Sequence, residues 1–200
     1  MAHVDFYYDI VCPYAYLGST QIQALADKCG ATVSYKPILL GGVLQSVGSP
    51  TVPMNSMPPS KARHNLLDMQ RWADLWNVEL NFPNGHPRRT VHCMRTIFAA
   101  GDQGVETMHA LYKAYWIDGL DVADADVVAG VLDKAGLDSA WSNLATQQPI
   151  KDTLRQKTAE AVECGVFGVP TFVVGDQLFW GQDRMNFVEA ALSAADKVSK

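Results

Sequence analysis

The order of elements at the two ends of this 200-residue chain limits its fold more than any other feature. Residues 3–9, HVDFYYD, alternate in character and are rich in aromatics, as a strand does. Pro13 then suits the first turn of a helix, and the helical run from Pro13 to Cys29 meets a stop signal at Gly30. ATVSYKPIL follows as a second strand. A β-α-β order predicts a parallel pair joined by a right-handed crossover. At the other end, IKDTLRQKTAEAVECG is an amphipathic helix, VFGVPTFVVGDQLFWG gives two short strands turning at Gly175-Asp176, and residues 182–200 form a closing helix. Between the ends, from about residue 60 to about 150, apolar residues recur at helical spacing and no strand is evident. Asp124 and Asp138 are placed to cap two of these helices. GGVLQSVGSPTVPMNSMPPS, rich in Gly, Pro and Ser, reads as a long loop leading into the helical block.

β-α-β … α-β-β-α around a helical block is the order of an α/β thioredoxin-type fold with a large all-helical insertion. Residues 1–45 and 150–200 would form the discontinuous thioredoxin-like domain, and residues 46–149 the insertion. Charged residues make up 18% of the chain and hydrophobic ones 48%, the balance of a globular protein rather than a disordered one. A net charge of −5 argues against a general nucleic-acid role. MAHVDFYYDI lacks the basic and apolar regions of a secretory signal, and no apolar run approaches the roughly 20 residues of a membrane span. Cys12, Cys29, Cys93 and Cys164 form no CxxC pair and no metal-ligand cluster, so we expect four free thiols, no metal and a cytoplasmic protein.

Two short stretches carry chemistry. Cys12 stands at a strand-to-helix junction, just before Pro13. Free N–H groups and the helix dipole favour an anion there, which predicts a thiol of lowered pKa or a seat for the thiolate of a bound ligand. The competing reading is a buried, inert cysteine. A straight helix of about 17 residues puts Cys29 roughly 25 Å from Cys12, too far for it to resolve a disulfide. In GVFGVPTF, a Val169-Pro170 bond leading straight into a strand is a candidate cis peptide. Val169 would then offer its backbone N–H and C=O to an extended ligand. An ordinary trans proline opening a strand is the alternative.

YDIVCPYAYLGS, GVFGVPTF and FWGQDRM together resemble the family of 2-hydroxychromene-2-carboxylate isomerases and kappa-class glutathione transferases, relatives of the disulfide oxidoreductase DsbA. KARHNLLDMQRWADLWNVELNFP is similar to that family's helical insertion, so the likeness spans nearly the whole chain. It implies a DsbA-like fold, a homodimer and glutathione as cofactor. It puts Cys12 where most members carry a serine that contacts the glutathione sulfur. It assigns the Val169 backbone, ahead of Pro170, to the cysteinyl part of glutathione, and Gln182 and Asp183 to the γ-glutamyl part. Asp183 would pair with the ligand's ammonium while the helix start draws its carboxylate, although Asp183 also suits a simple N-cap. Lys61 would lie near the ligand; without the likeness it reads as a solvated lysine.

This chain departs from the family in two further places. Where members often show Gly-Asn contacting glutathione, it has Gly48-Ser49, with Asn55 further on; Ser49 and Asn55 are both candidates. Where members commonly have asparagine near the second substrate, it has Arg89. His86, Arg88, Arg89, His92 and Arg95 either gather positive potential at a cleft or form a solvated loop and helix face. If Arg89 faces the cleft, an anionic substrate such as an aromatic carboxylate follows. Pro13 and Tyr14 at the active turn would line the substrate pocket. The implied activity is glutathione-dependent cis–trans isomerisation, or glutathione transfer, on an aromatic-degradation intermediate. The alternatives are a monothiol disulfide oxidoreductase using Cys12 and a non-catalytic thiol- or peptide-binding relative.

Overall fold

The computed structural model describes residues 1–198, so the last two residues of the expected closing helix lie outside the described residues. β1 (His3–Tyr8) leads into α1 (Pro13–Ser19), α2 (Ile22–Lys28) and β2 (Thr32–Pro37). α3 (Leu40–Ser46) precedes the helical block of α4 (Pro59–Trp76), α5 (Val91–Ala99), α6 (Gly104–Trp116), α7 (Ala125–Lys134) and α8 (Ala140–Leu144). α9 (Gln148–Glu163), β3 (Thr171–Val174), β4 (Gln177–Trp180) and α10 (Met185–Val198) close the chain. The sheet order is β2-β1-β3-β4. β1 runs parallel to β2, with Phe6 opposite Tyr35, and antiparallel to β3, with Phe6 opposite Phe172. This is the thioredoxin-type sheet with a helical insertion that the element order predicted.

The core sits where β1 and β3 meet the helices. Val4, Phe6, Tyr8 and Phe172 are fully buried, and the Phe6 ring stacks on those of Tyr8 and Phe172 at 5.3 and 5.1 Å. On the helical side Tyr112, Tyr115 and Trp116 of α6 are buried, and the Trp116 indole N–H donates to the Ile10 carbonyl at 2.9 Å. An indole N–H must find such a partner when it leaves water. The bond ties the helical block to the end of β1.

Two expectations need correction. The helix expected over residues 13–29 is broken at Thr20-Gln21 into α1 and α2. Ser19 Oγ donates to the Tyr16 carbonyl and Thr20 Oγ1 to the Leu17 carbonyl, both at 2.7 Å, so hydroxyls take up backbone acceptors where the helix ends. The segment expected as a loop from residue 41 holds most of α3 and a 3-10 turn, Pro53–Ser56. Val43 and Leu44 are buried there, and packing against α9 outweighs the poor helix propensity of Gly41-Gly42. Gly42 makes that approach close: a Cβ there would lie 3.3 Å from Thr158 Cγ2. Asp124 caps α7 as expected, accepting from the Asp126 and Val127 N–H groups.

Candidate active site

The site is built where β1 ends. Cys12, with extended backbone, is the N-cap residue of α1, and Pro13 supplies the helix's first residue. The Val169-Pro170 peptide is cis. It lies against the start of α1, with Cys12 Sγ donating to the Val169 carbonyl at 3.2 Å. The Val169 N–H enters none of the turn and loop hydrogen bonds among the described residues. Pro170 in turn accepts from the Gly181 N–H at 3.0 Å, which seats the 3-10 turn Gln182–Arg184 beside α1. Sequence-distant Cys12, Val169, Pro170, Gln182 and Asp183 are thereby brought together.

The thiol does not behave as its position at a helix start predicts. Cys12 is 7% exposed, and burial pushes its pKa up to about 12. The N–H groups of Tyr14 and Ala15 pull the other way, and the charge of Asp9 adds to the rise. Desolvation disfavours a thiolate more than the first turn of one short helix favours it. The expectation of a lowered pKa is overturned: Cys12 is a neutral thiol at physiological pH, and a hydrogen-bond donor.

Tyr14 follows Pro13 in the first turn of α1 and is partly buried. Its hydroxyl donates to Asn65 Oδ1 of α4 at 2.6 Å. Burial raises its pKa, and the carboxylates of Asp68 and Asp183 act on it in the same direction, which places the phenol among these groups. Gln182 is 4% exposed, whereas Asp183 is exposed and holds Arg184 at 3.5 Å. Lys61 lies exposed in the first turn of α4. Ser49 is partly buried after α3, its N–H bonded to the Leu44 carbonyl at 2.8 Å, and Asn55 is exposed on the 3-10 turn that follows.

The five basic residues from His86 to Arg95 do not act as one patch. His86 is held by the Tyr115 hydroxyl at 2.9 Å and rests 5.1 Å from the Trp116 ring, and burial lowers its pKa to about 4. Arg88 pairs with Asp121 at 3.4 Å, and His92 meets Ser142 Oγ at 2.8 Å. Arg95 turns toward a cavity between α3, α5 and α9. Of the five, Arg89 alone is exposed, one residue before Thr90.

Asp9 is the group that the sequence reading missed. It is completely buried, three residues before Cys12. Its carboxylate accepts from Thr90 Oγ1 at 2.6 Å, the Leu40 N–H at 2.8 Å and the Val11 N–H at 3.2 Å, while its carbonyl accepts from the Cys12 N–H at 3.1 Å. Burial raises its pKa, and those hydrogen bonds oppose the rise. An acidic residue directly after the aromatic run at residues 6–8 was the available signal. Trp180 and Phe167 were also missed: these exposed rings meet at 5.3 Å, and a Cβ on Gly168 would lie 2.8 Å from Trp180 Nε1, so an aromatic face flanks the Val169 peptide.

The sequence profile of the DsbA-like thioredoxin domain matches residues 3–193. The chain belongs to the DsbA-like thioredoxin family. It is 31% identical over 190 residues to 2-hydroxychromene-2-carboxylate isomerase of Pseudomonas putida, covering 94% of this chain and 93% of that protein. It is 24% identical over 202 residues to glutathione S-transferase kappa 1 of Rattus norvegicus, covering 92% and 88%. Among solved structures, a 2-hydroxychromene-2-carboxylate isomerase superimposes with a TM-score of 0.84 at 27% identity, covering 98% of this chain and 97% of that one. These relatives support enzymatic activity for this member of the family. Among the described residues no helix is long and apolar enough to cross a membrane.

Proposed function

We propose that this protein is a glutathione-dependent isomerase acting on an unsaturated aromatic-degradation intermediate of the 2-hydroxychromene-2-carboxylate type, with glutathione transfer as the related activity. The observation that carries the reading is the meeting of a neutral Cys12 thiol with the Val169 peptide and the Gln182-Asp183 turn. The arrangement suits glutathione. The Val169 N–H and carbonyl can pair with its cysteinyl unit in the manner of an added strand. Asp183 offers an exposed carboxylate to its ammonium, with Gln182 beside it, while Lys61 and Ser49 or Asn55 are the polar groups assigned to the rest of the tripeptide. When bound, glutathione supplies a thiol whose reversible addition to an unsaturated carbonyl compound turns a fixed double bond into a rotatable single bond.

The chain's own residues would hold that chemistry in place. Cys12, released from the Val169 carbonyl, would donate its S–H to the ligand's sulfur and stabilise the thiolate, as a serine hydroxyl would more strongly. Tyr14, anchored on Asn65, would bound the pocket with Pro13. Arg89 would meet an anionic substrate group, and the Trp180–Phe167 face would exclude water beside the reacting carbon. A homodimer in the cytoplasm is the assembly and compartment we assign. The monothiol redox alternative needs a reactive thiolate at Cys12, and the buried thiol speaks against it.

The test is calorimetry with glutathione together with spectrophotometric turnover of 2-hydroxychromene-2-carboxylate with and without it. The reading requires glutathione binding and turnover that depends on it. Absence of binding, or equal turnover without glutathione, overturns it.

A further inference from the structure

We propose a second ligand site, separate from the thiol site, that takes a small organic anion with an apolar body. A cavity of about 480 Å³ lies between α3, α5 and α9, and Cys12, Val169 and Asp183 are not among its lining residues. Arg95, Lys151 and Arg155 line it, and no acidic residue does, in a protein of net charge −5. Arg155 lies at the exposed rim and is held by Asp152. Arg95 and Lys151 are both partly buried, and neither has an ion-pair partner among the described residues.

Arg95 is the sharper observation. Its Nε is shut off from solvent and has no hydrogen-bond acceptor among the described residues. A guanidinium held with an incomplete set of partners beside a second unpaired cation is costly unless an anion offsets it. Low-dielectric walls lined with one sign of charge concentrate the potential inside the cavity.

The rest of the lining defines the ligand class. Leu39, Val91 and Leu154 give the cavity an apolar wall beside the cations, and Gln148 adds a polar side chain. A bare inorganic ion would leave that wall wet. A carboxylate on a ring or a short chain satisfies both halves, and the volume falls in the range of about 300–1,000 Å³ usual for small-molecule sites. The wall also adjoins the thiol site: Thr158 of this cavity holds the Leu39 N–H at 3.0 Å, and the next residue, Leu40, holds Asp9 at 2.8 Å.

The probe is 2-naphthoate, titrated calorimetrically into the intact protein, with inorganic phosphate as the comparison anion. The proposal requires 2-naphthoate binding that weakens about tenfold in Lys151→Glu and Arg95→Gln and is unchanged in Arg89→Ala. Lys151→Glu decides the matter if Arg95→Gln does not fold. Binding retained in Lys151→Glu, whether or not Arg89→Ala abolishes it, would place the probe elsewhere and overturn the proposal. So would phosphate competing as strongly as 2-naphthoate, or no detectable binding of 2-naphthoate.

Discussion

Cys12 Sγ donates to the carbonyl of Val169, 157 residues further along the chain, at 3.2 Å. The bond makes the thiol a donor already in use and closes the strand-to-helix turn onto the loop before β3. A ligand group that displaces the Cys12 S–H from the Val169 carbonyl would free it to donate elsewhere.

Cys12→Ser is expected to preserve isomerisation, with kcat within about threefold of the parent or above it, because a hydroxyl is the better donor in the same place. Steady-state rates on 2-hydroxychromene-2-carboxylate check this. Loss of activity in the serine variant would show that Cys12 reacts rather than donates.

Alkylation follows the same logic. With burial raising the Cys12 pKa, iodoacetamide at pH 8 should modify it far more slowly than the exposed Cys164 thiol. Its rate should still be climbing at pH 10. Mass spectrometry of the two cysteine peptides over a pH series measures both. A rate that levels off below pH 8 would mean a stabilised thiolate.

Asp183 and Arg89 are exposed, so changing them should leave folding alone. Asp183→Ala is expected to weaken glutathione about tenfold while Tm stays within a degree or two, as loss of one charged contact does. Arg89→Ala should raise KM for the anionic substrate and leave the glutathione Kd unchanged. A mirror-image result would exchange their assignments.

Asp9→Ala should cost about 3 kcal/mol, because the Leu40 and Val11 N–H groups and the Thr90 hydroxyl would lose their acceptor in a buried place. Denaturant titration reads it directly.

His86 gives a pH signature. Its folded pKa of about 4 lies below the ordinary value of 6.5, so the unfolded chain gains a proton first as pH falls. Stability contributed by neutral His86 is whole above pH 6.5 and drains away between there and pH 4. After discounting for the hydrated edge of the ring, the effect is about 1 kcal/mol. It should be absent in His86→Gln when Tm is followed against pH.

Short-range signals made much of this legible. The strand, the Cys-Pro helix start and the Val-Pro turn each occupy a few adjacent residues, and their joint order sufficed to foresee the sheet. What escaped depends on distant neighbours. The helix start at Cys12 is visible locally, but the burial that outweighs it comes partly from Val169, far along the chain. His86, Arg88, His92 and Arg95 are close in sequence, yet a loop and a helix turn them toward four different surroundings. Asp9 gave no periodic pattern at all, because one carboxylate at a strand end gains its meaning only from Leu40 and Thr90.

The central strands β1 and β3 come from opposite ends of the chain. During synthesis β1 leaves the ribosome early and can pair with β2 at once, but its other edge must wait until Thr171–Val174 emerges. Through that interval the outer edge of this aromatic-rich strand is unpaired, a hazard for pairing with neighbouring copies. The thiol site itself cannot exist before then, since Val169 arrives just ahead of β3. Any activity of the thiol site thus depends on a pairing that the chain completes only after its helical block has been made.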